Sequence, residues 1–204
     1  MHPIRTLTCA AAAIALTTSL AACSSGDSDG AGDQATDFAS QEAGGAEAEE
    51  DRGAEGSAEA AGFDMENMPE PVASEDIPAV VEGDPDATMT VDFYGLHREG
   101  KTVVGQFAFT VNANGGEGED WLYGYLGRQS WEPFLVDSQN LRKHSVLKGA
   151  NNSAKAQTNY QGPKFAPGQT YYAFAVFASP PNGVQEVQVS AVDGMNLVQG
   201  VKIQ

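Results

Sequence analysis

TYYAFAVFA, residues 170–178, is the stretch that decides the fold class of this chain. It is rich in aromatic residues and is apolar at both odd and even positions, which is typical of a strand buried on both faces. The turn sequence PPNG follows at 180–183, and residues 184–192 then alternate between apolar and polar. The pattern predicts a strand in the middle of a β-sandwich, followed by a strand that pairs back.

Strand signals recur at short intervals on both sides of this stretch. Residues 88–96 and 102–111 alternate around the turn Arg98-Glu99-Gly100 and predict a hairpin. Further strands are predicted at 121–126, 132–137, 143–147 and 198–203. No helical period is evident, so we expect an all-β, immunoglobulin-like two-sheet β-sandwich of about seven or eight strands over residues 88–204. The likeness is architectural, because the disulfide of antibody domains is absent.

Charge divides the chain at about residue 88. The formal net charge is −17, and residues 24–87 carry a large acidic excess with Arg52 as their only basic residue. In residues 88–204 acidic and basic residues balance. Low-complexity acidic sequence buries too little apolar surface to fold, so residues 23–87 are predicted to be a disordered tether. Within it, the proline-rich segment 63–87 either docks along the domain edge or forms a stiffer end of the tether. An alternative is that the acidic segment binds cations or a basic partner.

The N-terminus has the parts of a secretory signal: Arg5, an apolar run over 7–20 and small residues before a cysteine. The sequence Leu20-Ala21-Ala22-Cys23 resembles the bacterial lipobox. We therefore expect a signal peptide over residues 1–22, lipidation of Cys23, and a lipid-anchored protein on the extracytoplasmic face of the cell membrane. An ordinary signal peptide that is cut elsewhere is the alternative. Because the other cysteine, Cys9, lies inside the signal, no disulfide is expected in the mature chain.

A family resemblance rests on a set of short motifs: Leu135-Val136-Asp137, residues 138–146, Pro167-Gly168-Gln169, Tyr172–Val176, and Pro180-Pro181 with Val184, Val187 and Val189. They are similar to the β-sandwich region of actinobacterial lipoproteins, which in some relatives precedes an OmpA-type peptidoglycan-binding domain. The resemblance covers about residues 88–204 and implies a fold and a compartment, but no catalytic residues. The sequence ends at Gln204 without an OmpA-like module, so we do not expect cell-wall binding through one.

Catalytic and metal-binding signals are weak. The hydrolase elbow, the P-loop and the dinucleotide fingerprint are missing, and His97 and His144 lack the spacing of a zinc site. Glu117, Glu119 and Asp120, joined by Asp137 if the fold brings it close, could gather Ca²⁺, but solvated loop charge is the commoner explanation. Asp137 is expected to start a turn through an Asx hydrogen bond. We predict a non-enzyme without metal or cofactor and with no nucleic-acid partner. A small-molecule or metal-binding lipoprotein is the alternative function, and a hydrolytic enzyme ranks third.

The candidate binding residues are aromatic. On an extended strand, Trp121, Tyr123 and Tyr125 would share one face, with Trp131 close behind in the sequence. If that face is outward, it suits stacking on a sugar or on a partner protein. The competing interpretation makes the segment part of the core or a turn that crosses it. The sequence thus predicts a binding or scaffolding module for an envelope protein or glycan.

Overall fold

The chain forms an all-β sandwich of eight strands, described by a computed structural model over residues 53–115, 118–149 and 154–204. Two short helices accompany the strands, α1 (Gly53–Ala60) and α2 (Leu122–Tyr125). The strands are β1 (Ala73–Pro78), β2 (Thr88–Glu99), β3 (Thr102–Asn112), β4 (Phe134–Asp137), β5 (Arg142–Ser145), β6 (Thr170–Ala178), β7 (Glu186–Ser190) and β8 (Val198–Lys202). The predicted two-sheet β-sandwich is confirmed.

The strands form two four-stranded antiparallel sheets, ordered β1-β2-β3-β6 and β5-β4-β7-β8. The predicted hairpin is present, with Thr88 opposite Asn112 and a bulge at Phe93–Gly95. Gly95 has φ 127°, a value that favours glycine, and the bulge re-aims the end of β2. There Leu96 bridges Ile203 in parallel, and the Arg98 amide donates to the Gln204 carbonyl at 2.7 Å. These bonds join the ends of the two sheets.

The main core lies between the sheets and is built from the inward positions of the alternating strands. Trp131 is at its centre and is fully buried. Its ring meets Phe107 and Phe109 edge-on at centroid distances of 5.4 and 5.5 Å, and its indole N–H donates to the Ala191 carbonyl at 2.9 Å. Tryptophan buried with its N–H paired contributes apolar area without the cost of an orphaned donor.

The strand that follows β6 was expected to pair back with it, and this prediction is wrong: β7 pairs with β4 and β8 in the other sheet. Strand β6 itself has the predicted bounds. It is the last strand of its sheet, after β3. Both faces are apolar because Tyr171, Ala173 and Phe177 enter the main core, whereas Tyr172 and Phe174 lie under α1 on the outer face. The edge of β6 that does not face β3 is hydrogen-bonded to irregular segments of the chain. The Leu147 amide donates to the Val176 carbonyl and the Val176 amide donates to the Ala156 carbonyl, both at 2.8 Å.

The folded unit begins well before residue 88, so the predicted boundary of the tether is wrong over residues 53–87. Helix α1 and Phe63 cover the outer face of the first sheet, where Ala58, Ala61 and Phe63 are buried against Ala108 and Tyr172. We call this set the outer cluster. The Gln106 amide group donates to the carbonyls of Ala61 and Gly62, and β1 adds an edge strand to β2. Of the two interpretations of residues 63–87, docking on the domain is therefore correct.

The helices α1 and α2 have eight and four residues, and no helix in the part of the chain that the structure describes is long and apolar enough to cross a membrane. The predicted signal peptide, Cys23 and the acidic segment up to Arg52 lie outside the described residues.

Candidate aromatic binding surface

The segment that begins at Trp121 is a single helical turn, and the predicted strand over 121–126 is wrong. The Leu126 amide donates to the Leu122 carbonyl at 3.0 Å, and Leu122 and Tyr125, three residues apart, are both buried. Gly124 permits this turn because a Cβ at its position would collide with the carboxylate of Asp120. The Trp121 amide donates a hydrogen bond to that carboxylate at 2.8 Å. Because the turn is helical, the aromatic residues do not share one face.

Tyr125 and Trp131, two of the predicted binding residues, belong to the core. The Tyr125 hydroxyl donates to the Phe165 carbonyl at 2.7 Å, and the two rings lie 4.9 Å apart. Burial raises the pKa of Tyr125. Trp131 is enclosed between the sheets. For these two residues the core interpretation applies, and neither ring can be reached by a partner.

Trp121 and Tyr123, the other two predicted residues, lie at the surface. Trp121 is 38% exposed, and the Lys164 ammonium is 5.1 Å from the centroid of its ring. Tyr123 is half-buried beside Tyr160, with ring centroids 6.2 Å apart and ring planes inclined by 31°. The Tyr160 hydroxyl lies 3.1 Å from Ser130 Oγ. We call Trp121, Tyr123 and Tyr160 the aromatic surface. Tyr160 and Lys164 had no signal in the sequence, because they lie in a polar loop without periodicity.

Hydrogen bonds to the core hold the aromatic surface in place. The Tyr123 amide donates to the Tyr160 carbonyl at 2.9 Å, and Asp120 and Phe165 exchange backbone hydrogen bonds. Below them, the Tyr171 hydroxyl donates to the Asn159 carbonyl at 2.9 Å, and burial raises the pKa of Tyr171 to about 12. A surface whose loops are already fixed loses little entropy when a ligand binds.

Among the described residues, the carboxylates considered for Ca²⁺ are not grouped into a metal site. Both Asp137 oxygens serve the β4–β5 turn: Oδ1 accepts the Gln139 and Asn140 amides at 3.0 Å, and Oδ2 accepts the Asn140 side-chain amide at 2.8 Å. The predicted Asx turn is thus confirmed. The Asn140 side chain is the main cause of a lowered Asp137 pKa. Glu117 lies outside the described residues, and within residues 53–115, 118–149 and 154–204 no three His, Cys, Asp or Glu side chains are grouped to hold a metal.

His97 and His144 lie on strands of different sheets, β2 and β5. His97 is exposed on β2, opposite Val104. His144 is on β5, with Nδ1 3.0 Å from the Ala178 carbonyl.

Comparison of the chain with protein-family models, with curated proteins and with solved structures gives no match. Function therefore has to be inferred from the geometry and chemistry of the surface.

Proposed function

We propose that the protein is a lipid-anchored lipoprotein on the extracytoplasmic face of the cell membrane, and that its β-sandwich binds a glycan or protein of the envelope through the aromatic surface. The observation that carries the proposal is the exposed Trp121 beside Tyr123 and Tyr160, on loops that hydrogen bonds to buried residues hold fixed. Trp131, by contrast, is fully buried in the core.

Exposed Trp and Tyr rings are suited to recognition because they bury a large apolar area and lose few rotamers on binding. A sugar ring presents C–H groups that pack against an aromatic face, while the Tyr hydroxyls and the indole N–H can bond its hydroxyls. Tryptophan and tyrosine are also the residues on which affinity most often depends in protein interfaces. Lys164, whose ammonium lies close to the Trp121 ring, adds a charge-bearing donor at the same place.

The anchor is proposed from the lipobox resemblance at Cys23. Because the folded unit includes residues from 53 onward, the acidic spacer would be residues 24–52 rather than the whole of 24–87. A flexible spacer of that length would have an end-to-end distance of roughly 30 Å. This distance would keep the sandwich close to the membrane surface while leaving it free to rotate.

Anchoring is tested by a Cys23→Ser variant expressed in the native host, with Cys9→Ser as the matched control. We expect the wild type and the Cys9 variant in the membrane fraction and the Cys23 variant in the culture medium. Mass spectrometry of the wild-type N-terminus should find diacylglycerol on Cys23. A Cys23→Ser protein that stays in the membrane fraction contradicts the proposed anchor.

Binding is tested by calorimetry with purified envelope polysaccharide and by crosslinking in intact cells, comparing the wild type with Trp121→Ala. The variant should bind about tenfold more weakly, since truncating a central aromatic contact costs on the order of 1–2 kcal/mol. Trp121→Phe should retain most of the affinity. Leu141→Ala, at another exposed apolar position, is the control and should bind as the wild type does. Equal affinity of Trp121→Ala and the wild type for every envelope component would contradict the proposal.

A further inference from the structure

A groove of about 530 Å³ adjoins the aromatic surface along the β4–β5 pair. Ser130 joins the two, because it lines the groove and also meets the Tyr160 hydroxyl. Phe134 on β4 and Lys143 on β5 form one wall, and the Lys143 ammonium lies 3.7 Å from the centroid of the Phe134 ring. Stacking rings and a charged groove thus form one continuous surface.

Three lysines line this groove: Lys143, Lys148 and Lys155. Lys155 forms an ion pair with Glu132, whose side chain is largely exposed. The pKa of Glu132 is lowered, first by the hydrogen bond from Lys155 and also by the charges of Lys148 and Lys143. All three ammonium groups therefore stabilise the ionised carboxylate of Glu132. An anionic group of a ligand would be favoured at the same place.

Positive charge exceeds negative charge in the groove. Glu132 and Asp193 are its acidic residues, against three lysines, and the pair Lys155–Glu132 is the one ion pair within the described part of the chain. Lys148 is exposed and forms no ion pair with a described residue, although its charge acts on Glu132 at longer range. This local excess of positive charge contrasts with the net charge of the whole chain, which is −17. A groove with free ammonium groups in a strongly acidic protein attracts anions locally, while the rest of the chain repels them.

We propose that the ligand is an acidic glycan, whose sugar rings stack on the aromatic surface and whose carboxylate or phosphate groups lie among Lys143, Lys148 and Lys155. This inference rests on the proposed function, because it names the chemical class of the ligand for the same surface. Lysine ammonium groups bind carboxylate and phosphate as point charges, so the groove selects for negative charge.

The experiment is a set of calorimetric titrations of the full-length mature protein with two matched pairs of polymers. Oligogalacturonate is compared with its neutral methyl ester, and phosphorylated dextran with unmodified dextran. The double variant Lys143→Gln/Lys148→Gln removes groove charge, and Lys101→Gln/Lys202→Gln removes the same charge from exposed positions that do not line the groove. A thermal melt of each variant verifies folding.

We expect the wild type to bind at least one acidic polymer about tenfold more tightly than its neutral partner, and this preference to weaken as salt rises. The groove variant should lose the preference, and the control variant should keep it. Whichever acidic polymer is preferred identifies carboxylate or phosphate as the group that is bound.

Four results would overturn the inference. If acidic and neutral polymers bind with equal affinity and binding still depends on Trp121, the proposed function is kept but the ligand is not an acidic glycan. Equal losses in the two double variants mean that bulk charge, not the groove, is responsible. Polyglutamate that competes as well as an acidic glycan indicates an acidic protein as the ligand. If no polymer binds and Trp121→Ala changes nothing in cells, the proposed function fails together with the inference.

Discussion

Truncation of Phe63 is the most informative test of the outer cluster. The side chain is 8% exposed, and its ring lies 5.0 Å from Tyr94 and 4.9 Å from Tyr172. Burial of a phenylalanine contributes about 1.5–3 kcal/mol, and each aromatic contact adds about 0.5–1.5 kcal/mol. Phe63→Ala should therefore destabilise the docking of α1 by about 3 kcal/mol, the lower end of the range for core Phe→Ala changes.

Hydrogen exchange resolves this loss better than a global melt does, because the outer cluster is separate from the main core. The Ala61 amide donates to the Ser57 carbonyl and the Phe63 amide to the Ala58 carbonyl. Protection at both amides should fall about 100-fold in Phe63→Ala, since 1.4 kcal/mol corresponds to a factor of ten. Amides of β3 next to Trp131 should keep their protection.

Met65→Ala is the matched control, because Met65 lies in the same segment and is 49% exposed. It should change protection at these amides by less than about threefold, as surface substitutions usually cost under 0.5 kcal/mol. Unchanged exchange in Phe63→Ala would refute the argument that residues before 88 are part of the folded unit.

Three further predictions concern the sandwich itself. Tyr125→Phe removes the donor to the Phe165 carbonyl and should lower the free energy of unfolding by about 1–2 kcal/mol in urea titrations; no change would mean that this bond is not needed to fix the aromatic surface. Asp137 has a lowered pKa, so its ionised form stabilises the fold above pH about 4, and this contribution is lost as pH falls through the native pKa. The stability difference between the wild type and Asp137→Asn should therefore be constant at neutral pH and shrink below pH about 4, and a difference that grows in acid would contradict the assignment. Leu141 has φ 52° and is 90% exposed, so Leu141→Gly should raise the thermal midpoint by relieving about 0.5–1 kcal/mol of backbone strain, and a lower midpoint would show that the leucine has a packing role.

The strands between residues 88 and 204 were predictable because one face of most of them meets the core. In β3, Val103, Phe107, Phe109 and Val111 are buried, as the alternation indicates. The bounds of β6 follow from the turn signals on either side of it. Its position at the end of a sheet could not be predicted, since an apolar outer face looks the same whether a strand or α1 covers it.

Helix α1 and strand β1 were missed because their sequences carry no apolar period. Among the α1 side chains that the structure describes, residues 57–60, the buried ones are the small Ser57 and Ala58, and ASEDIP in β1 buries Ile77 alone. Their stability comes from tertiary contacts with the first sheet, and propensity does not register such contacts.

The aromatic surface was half predictable. Trp121 and Tyr123 were identified from the alternation of a predicted strand, but the segment is a helical turn in which Gly124 lies close to the Asp120 carboxylate, and strand periodicity does not report that contact. Tyr160 and the lysines of the groove come from separate loops and strands, so only the fold brings them together.

The central claim, that the aromatic surface binds an envelope glycan, is tested most directly by the indole N–H signals in a ¹H–¹⁵N spectrum. The chain has two tryptophans, Trp121 at the surface and Trp131 in the core with its N–H on the Ala191 carbonyl. On addition of envelope glycan, we predict that the Trp121 signal shifts in a saturable way while the Trp131 signal stays in place. A Trp121 signal that does not move at saturating glycan would contradict the account.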